Sequence, residues 1–173
     1  MLTPRLELVA ASAEMLEAEL ESPERFTEEL GAVVPPGWPP GLYDRAAVEF
    51  MLGRTREEGE AGAGWYTWYG MRRGEPRVLV LSIGYFGPPR NGEVQIGYSV
   101  VESQRGNGYA TEAIAALAGR ALALPGVICV CAHTADDNVP SRRALARAGF
   151  LEVGPGKDAA TRRFERRSPV TAP

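Results

Sequence analysis

The sequence predicts an α/β chain in three layers: a mixed, mostly antiparallel central sheet of about six to seven strands with helices on both faces. Three observations carry this. Residues 65–71, 77–86 and 93–101 are rich in Val, Ile, Tyr and Trp. The segments between them, Arg72-Arg73-Gly74-Glu75-Pro76 and Gly87-Pro88-Pro89-Arg90-Asn91-Gly92, are turn chemistry, so the middle reads as an antiparallel meander. Helical periodicity precedes and follows that meander. Residues 127–134 are nearly continuously apolar, the pattern of a strand covered on both faces.

In chain order, residues 2–9 alternate around Leu6 and Leu8 and predict a short strand. Residues 13–20 and 23–30 are helical and rich in Glu. Residues 33–41, VVPPGWPPG, form a loop, because their four prolines suit neither a helix interior nor a central strand. Asp44 caps a helix reaching about residue 60, with Ala47, Phe50, Met51 and the stem of Arg54 expected on its packed side. After the meander, residues 108–124 set Ala110, Ile114, Leu117, Ala121 and Leu122 at helical spacing and stop at Pro125-Gly126. A short helix runs from Asn138 to Ala148 and closes at Gly149, and residues 150–153 and 161–167 are the last strands. Residues 1–167 are expected to form one domain, with a tail at 168–173.

Composition narrows the function. The chain has 173 residues and a net charge of −3, which argues against nucleic acid or an anionic membrane as partner. His133 is the one histidine, so multi-histidine metal sites are excluded. Cys129, Cys131 and His133 alternate along one strand face, but the outer pair lies ~13 Å apart. One metal ion holds its ligands within ~2.3 Å, so no metal is expected and the cysteines read as small core residues. No apolar run approaches the ~20 residues of a membrane-spanning helix. No cationic-then-apolar leader opens the chain, and a cytoplasmic location is expected.

The strongest chemical signal is Arg105-Gly-Asn-Gly-Tyr-Ala-Thr-Glu112, set between a strand and a helix. Two glycines let the backbone turn tightly, and the helix start presents unpaired N–H groups and the positive end of its dipole. That combination suits a phosphate or pyrophosphate, although an ordinary glycine-containing helix cap has the same pattern. The stretch lacks the Gly-Lys-Ser/Thr of a nucleotide-binding P-loop and the third glycine of a dinucleotide fingerprint.

Arg105-x-x-Gly108-x-Ala110 resembles the Arg/Gln-x-x-Gly-x-Gly/Ala acetyl-CoA signature of the GNAT N-acetyltransferases. Upstream, Val94-Gln-Ile-Gly-Tyr-Ser-Val100 resembles their fourth strand. Downstream, the segment from Ala132 to Ser141 and then Ala148-Gly-Phe150 resembles their Asn-x-x-Ser helix and its Gly-Phe ending. The opening, Leu2-Thr-Pro-Arg-Leu-Glu-Leu8, is similar to the start of the Rim-type branch, which includes ribosomal-protein N-terminal acetyltransferases.

The resemblance implies the GNAT fold, acetyl-CoA as co-substrate without a metal, and an amine acceptor: a protein or peptide N-terminus, or a small molecule. A monomer or homodimer is expected. It implies that Arg105 and the backbone from Gly106 through Asn107, Gly108, Tyr109 and Ala110 to Thr111 hold the pyrophosphate. Backbone groups near Ser99 and Val100 would meet pantetheine where the fourth strand opens from the fifth. Asn138, also a good helix N-cap, would bond the pantetheine arm. Ser141, otherwise a first-turn hydroxyl, would protonate the departing thiolate.

Where relatives often carry Glu before the Ile-Gly-Tyr pattern, this chain has Gln95, which cannot accept a proton. Glu93 lies two residues back on the same face and is the candidate base through a water; the alternative is a solvated turn carboxylate. His133 is either a second base or a structural histidine. Tyr98 is a candidate acceptor contact or a packing residue, and so is Trp38 in its proline loop. No residue is set as a nucleophile, so direct attack in a ternary complex is expected. The alternative is a module that binds acetyl-CoA with little turnover.

Overall fold

The computed structural model describes residues 1–168; beyond Ser168 the expected tail lies outside the described residues. Seven strands are β1 (Leu6–Ala10), β2 (Thr67–Arg72), β3 (Val78–Tyr85), β4 (Glu93–Val100), β5 (Cys129–Ala135), β6 (Leu151–Pro155) and β7 (Thr161–Arg167). They pair in the order β1-β2-β3-β4-β5-β7-β6. Every neighbouring pair is antiparallel except β4 with β5. The helices are α1 (Ala13–Glu21), α2 (Pro23–Leu30), α3 (Arg45–Gly62), α4 (Tyr109–Leu122) and α5 (Val139–Arg147).

Strand alternation sorts the side chains into two cores. Leu6, Leu8, Trp68, Ile83, Val94 and Ile96 bury against α4 and α5. Tyr69, Met71 and Leu79 point the other way, against α1, α2 and α3. The aromatic run ahead of and within β2 is core: Trp65 and Trp68, with Tyr85, surround the Arg120 guanidinium of α4 at 5.4, 5.3 and 5.8 Å. Rings at that range attract a cation through their quadrupoles.

Local signals set the helix starts. Ser12, Ser22 and Asp44 each accept a first-turn N–H of α1, α2 and α3. Two expectations are corrected. The first strand begins at Leu6 rather than residue 2, because Thr3 closes a turn onto Leu6 around Pro4. In α3 Ala47 and Met51 pack as expected beside the buried Val48 and Leu52, but Phe50 is 60% exposed. An amphipathic helix this long offers two adjoining apolar stripes, and the partner surface chooses between them.

A half-buried carboxylate organises the α1–α3 face. Glu19 of α1 accepts hydrogen bonds from Trp38 Nε1 at 2.6 Å, Tyr43 Oη at 2.9 Å and Tyr69 Oη at 2.5 Å. This ties the proline loop to both α1 and the sheet. Burial pushes the Glu19 carboxyl above its ordinary range, against the pull of those three donors.

Glu19→Ala would leave three buried donors without an acceptor and should lower unfolding stability by about 2–4 kcal/mol in denaturant titration. Folded Glu19 holds its proton more tightly than the unfolded chain, whose value is near 4.5. Its contribution is therefore complete below that pH and lost as pH rises through the folded-state value. The stability of wild type relative to Glu19→Gln should fall over that window.

Candidate active site

β4 and β5 pair only from Glu93–Cys129 to Ile96–Ala132. Beyond that, β4 follows β3 to Val100 and β5 follows β7 to Ala135, so the two strands part. Phe86 N–H donates to Gln95 O, and Val101 N–H donates to Val80 O. Alternation then turns the backbone of Gly97 and Ser99 toward β3, and that of Tyr98 and Val100 toward the opening. This corrects the expectation for Ser99. Its backbone serves β3, and its hydroxyl donates to Pro40 O at 2.7 Å, on the proline loop. Val100 O accepts from Arg105 Nε at 3.3 Å, which folds the next loop back over the opening.

That loop begins with a single 3-10 turn at Glu102–Gln104. Gly106 (φ 79°) and Gly108 (φ 78°) take left-handed backbone that side chains adopt only with strain. Gly108 is the N-cap of α4. Among the described residues, no N–H from Gly106 to Thr111 donates to a backbone carbonyl. The Asn107 side chain donates to Gln104 O at 3.1 Å and stiffens the turn. Tyr109 and Ala110 pack on the α4 core. The result is a concave set of amides at a helix N-terminus, suited to a pyrophosphate.

The sequence reading missed the brace behind this loop. Arg5 donates to Asn107 O and to Glu112 Oε2, each at 2.8 Å, and its guanidinium lies 5.1 Å from the Tyr109 ring. Thr3 Oγ1 donates to Glu112 Oε1 at 2.5 Å. Burial would raise the Glu112 carboxyl, but the bonds from Thr3 and Arg5 outweigh it and hold the group low. Arg5 and Glu112 are 107 residues apart, so no local pattern links them.

On the α4–α5 side of the opening, Asn138 caps α5 by accepting Ser141 N–H at 3.1 Å. Ser141 Oγ and Tyr98 Oη are 2.7 Å apart. Burial pushes the Tyr98 hydroxyl up to about 12, so it is a neutral hydrogen-bonding group near pH 7. Tyr98 thus faces α5 and packs on the α4–α5 core, the second of the two roles expected of it.

On that opposite face, Gln95 and Gly97 of β4 adjoin His133, the first residue of β5 beyond the paired stretch. Phe86, 59% exposed, lies over Gly97, where an added Cβ would come within 2.9 Å of its ring. His133 Nδ1 accepts Lys157 N–H at 3.3 Å, and Lys157 Nζ donates to Gln95 Oε1 at 3.0 Å. Burial, then the nearby Arg163 and Lys157 charges, hold the imidazole below its ordinary range and keep it neutral near pH 7.

Glu93 does not reach this mouth, which corrects its candidacy as base. It opens β4, about 10 Å along the strand from the point of parting. Arg163 bonds its Oε2, and Cys131 Sγ lies 3.4 Å from its Oε1. Burial raises the Glu93 carboxyl, but these bonds prevail and lower it. Glu93, Cys129 and Glu165 bring donor atoms within 4.8 Å of one another, yet Arg163 and Arg167 pair with the two carboxylates. That arrangement is an ion-pair network. Burial pushes the Cys129 thiol to about 11 and that of Cys131 to about 12, so neither supplies a thiolate near neutral pH.

Trp38 gives its indole N–H to Glu19, and its ring packs near Phe26, Tyr43 and Tyr69. It also borders a cavity of about 440 Å³ between α1, α2, α3 and the proline loop.

Among the described residues, no helix is long and apolar enough to cross a membrane. Residues 5–151 match the family model described as an acetyltransferase (GNAT) domain. An uncharacterized N-acetyltransferase of Bacillus subtilis (strain 168), YjdG, is 27% identical over 150 residues, covering 86% of this chain and 88% of that protein. A GNAT-family acetyltransferase from Bacillus anthracis has the same fold, with a TM-score of 0.66 at 16% identity over 97% of this chain and 98% of its own. So does RimL, a ribosomal L7/L12 alpha-N-protein acetyltransferase solved in complex with coenzyme A, at 0.66 and 18% identity over 96% of each chain. With the parted strands and the amide-rich loop at its centre, the chain belongs to the GNAT acetyltransferase family.

Proposed function

We propose that residues 1–167 form a single catalytic domain that transfers acetyl from acetyl-CoA to a primary amine by direct attack in a ternary complex. One observation carries the reading: unpaired amides from Gly106 to Thr111, the open backbone of Tyr98 with the free N–H of Val100, and the Ser141 hydroxyl border the place where β4 leaves β5.

The residues present fit acetyl-CoA. Amides of the Gly106–Thr111 loop and the α4 dipole would hold the pyrophosphate, and Arg105 would add charge beside it. Val100 and Tyr98 backbone groups would bond the pantetheine arm as a missing strand would, and Asn138 would donate to it from its side-chain nitrogen. Bound acetyl-CoA supplies an acyl group already activated as a thioester. The chain then has to orient the amine and hold donors where charge develops. Ser141 is the proton donor to the departing sulfur, with Tyr98 hydrogen-bonded to its hydroxyl. The raised thiols of Cys129 and Cys131 favour direct attack over an acyl-enzyme. Trp38 and the proline loop wall the acceptor side.

The Arg163-bound Glu93, together with Gln95, favours a second reading, a module that holds acetyl-CoA with little turnover. Thiol release from acetyl-CoA across a panel of amines and N-terminal peptides separates the two: amine-dependent release supports the transferase, and binding without release supports the module. Gly108→Glu, which forces a side chain into left-handed backbone inside the loop, should abolish both acetyl-CoA binding and release. Ser141→Ala should lower kcat about 10- to 100-fold with little change in KM for acetyl-CoA. With Glu93 withdrawn, kcat/KM should rise about tenfold per pH unit until the acceptor amine's own pKa. A plateau well below that value would reveal an enzyme base.

A further inference from the structure

Resting on the transferase reading and extending it to the acceptor, we propose that the acceptor carries a carboxylate beside its reactive amine, recognised by a rim formed by Gln95, His133 and Lys157. This rim borders the mouth of the parted strands on the face opposite α4 and α5.

Its position is built in. The connection between β6 and β7 is a tight turn held by Gly156 N–H to Thr161 O at 2.7 Å and Thr161 Oγ1 to Asp158 O at 2.7 Å. Asp136 N–H anchors its far end on Ala160 O at 2.9 Å. From that turn the Lys157 backbone rests on His133 and its side chain crosses to Gln95 on β4. The ammonium is therefore bonded to Gln95, two residues along β4 from Gly97, where β4 has left β5.

The rim has an excess of hydrogen-bond donors. A lysine ammonium offers three, and the bond to Gln95 uses one. Because His133 Nδ1 accepts from Lys157, the proton of the neutral ring resides on Nε2. That nitrogen is buried with no partner among the described residues. The Gln95 amide adds further N–H groups on the same face. Three of the neighbouring carboxylates are already paired, and Asp158, which also acts on His133, is not. Glu93 and Glu165 are held by Arg163 and Arg167, and Asp136 by Arg162. Lys157 has no ion-pair partner among the described residues, Asp158 beside it included.

An exposed ammonium without an ion-pair partner, held beside the Gln95 amide at the mouth, suits an anionic, acceptor-rich group. A carboxylate supplies about four acceptor positions and charge-assisted bonds to both donors. A polycation would instead meet the like charge of the Lys157 ammonium. A free amino acid and a peptide beginning with Asp or Glu both present this chemistry.

The test measures kcat/KM for acceptor pairs that differ in the carboxylate alone: free amino acids against their amides, and peptides beginning with Asp against Asn. Polyamines form a third arm. Wild type should favour the carboxylate member about tenfold or more, mainly through KM, and added salt should erode the preference. The arm with the larger ratio tells free amino acid from peptide. The ratio should drop toward unity in Lys157→Gln and invert in Lys157→Glu. Equal use of both members, better use of polyamines, or a ratio untouched by Lys157→Glu would overturn the proposal while leaving the transferase reading intact. No transfer to any acceptor would overturn both.

Discussion

Two parallel strands that separate midway leave backbone N–H and C=O groups on the separated stretches without partners, and inside a protein such groups must be satisfied by something else. β4 and β5 separate after Ile96 and Ala132, each carried off by its other neighbour, β3 or β7. The other features of the site are arranged around that opening. The chain returns from β4 through Arg105, which bonds Val100 O, into a loop whose glycines aim amides at one place. From the other side α5 brings Ser141 to Tyr98. An extended ligand with a phosphate at one end and a carbonyl at the other would complete the sheet locally.

The two faces of the sheet are prepared differently. Behind the opening, apolar packing of α4 and α5 fixes the backbone, and the Arg5–Glu112 pair fixes the helix start. In front, polar contacts set the walls. Glu19 gathers Trp38, Tyr43 and Tyr69 and so holds the proline loop, while Ser99 bonds the same loop at Pro40. Glu93, about 10 Å back along β4, is paired with Arg163 rather than set at the mouth.

Much of this fold was legible in the sequence because its signals are local. The glycine and proline turns of the meander, the prolines around Trp38 and the Asp44 and Asn138 caps each act within a few residues. Their elements lie within one or two positions of expectation. The loop from Arg105 to Thr111 was legible for the same reason. Long-range pairings were not: Glu19 reaches Tyr69 across 50 residues and Glu93 reaches Arg163 across 70. No periodicity encodes such contacts. The same limit explains the misplacement of Ser99. It lies near the right opening, but the direction its backbone takes depends on ladder register.

The most direct test of the account is amide hydrogen exchange with and without acetyl-CoA, read residue by residue. The account predicts added protection at Tyr98 and Val100 and across Gly106–Thr111, with the backbone amides of Gly97 and Ser99, already paired to β3, little changed. Protection confined to other regions, or spread evenly over β4 without that alternation, would contradict the claim that the parted strands are the acetyl-CoA site.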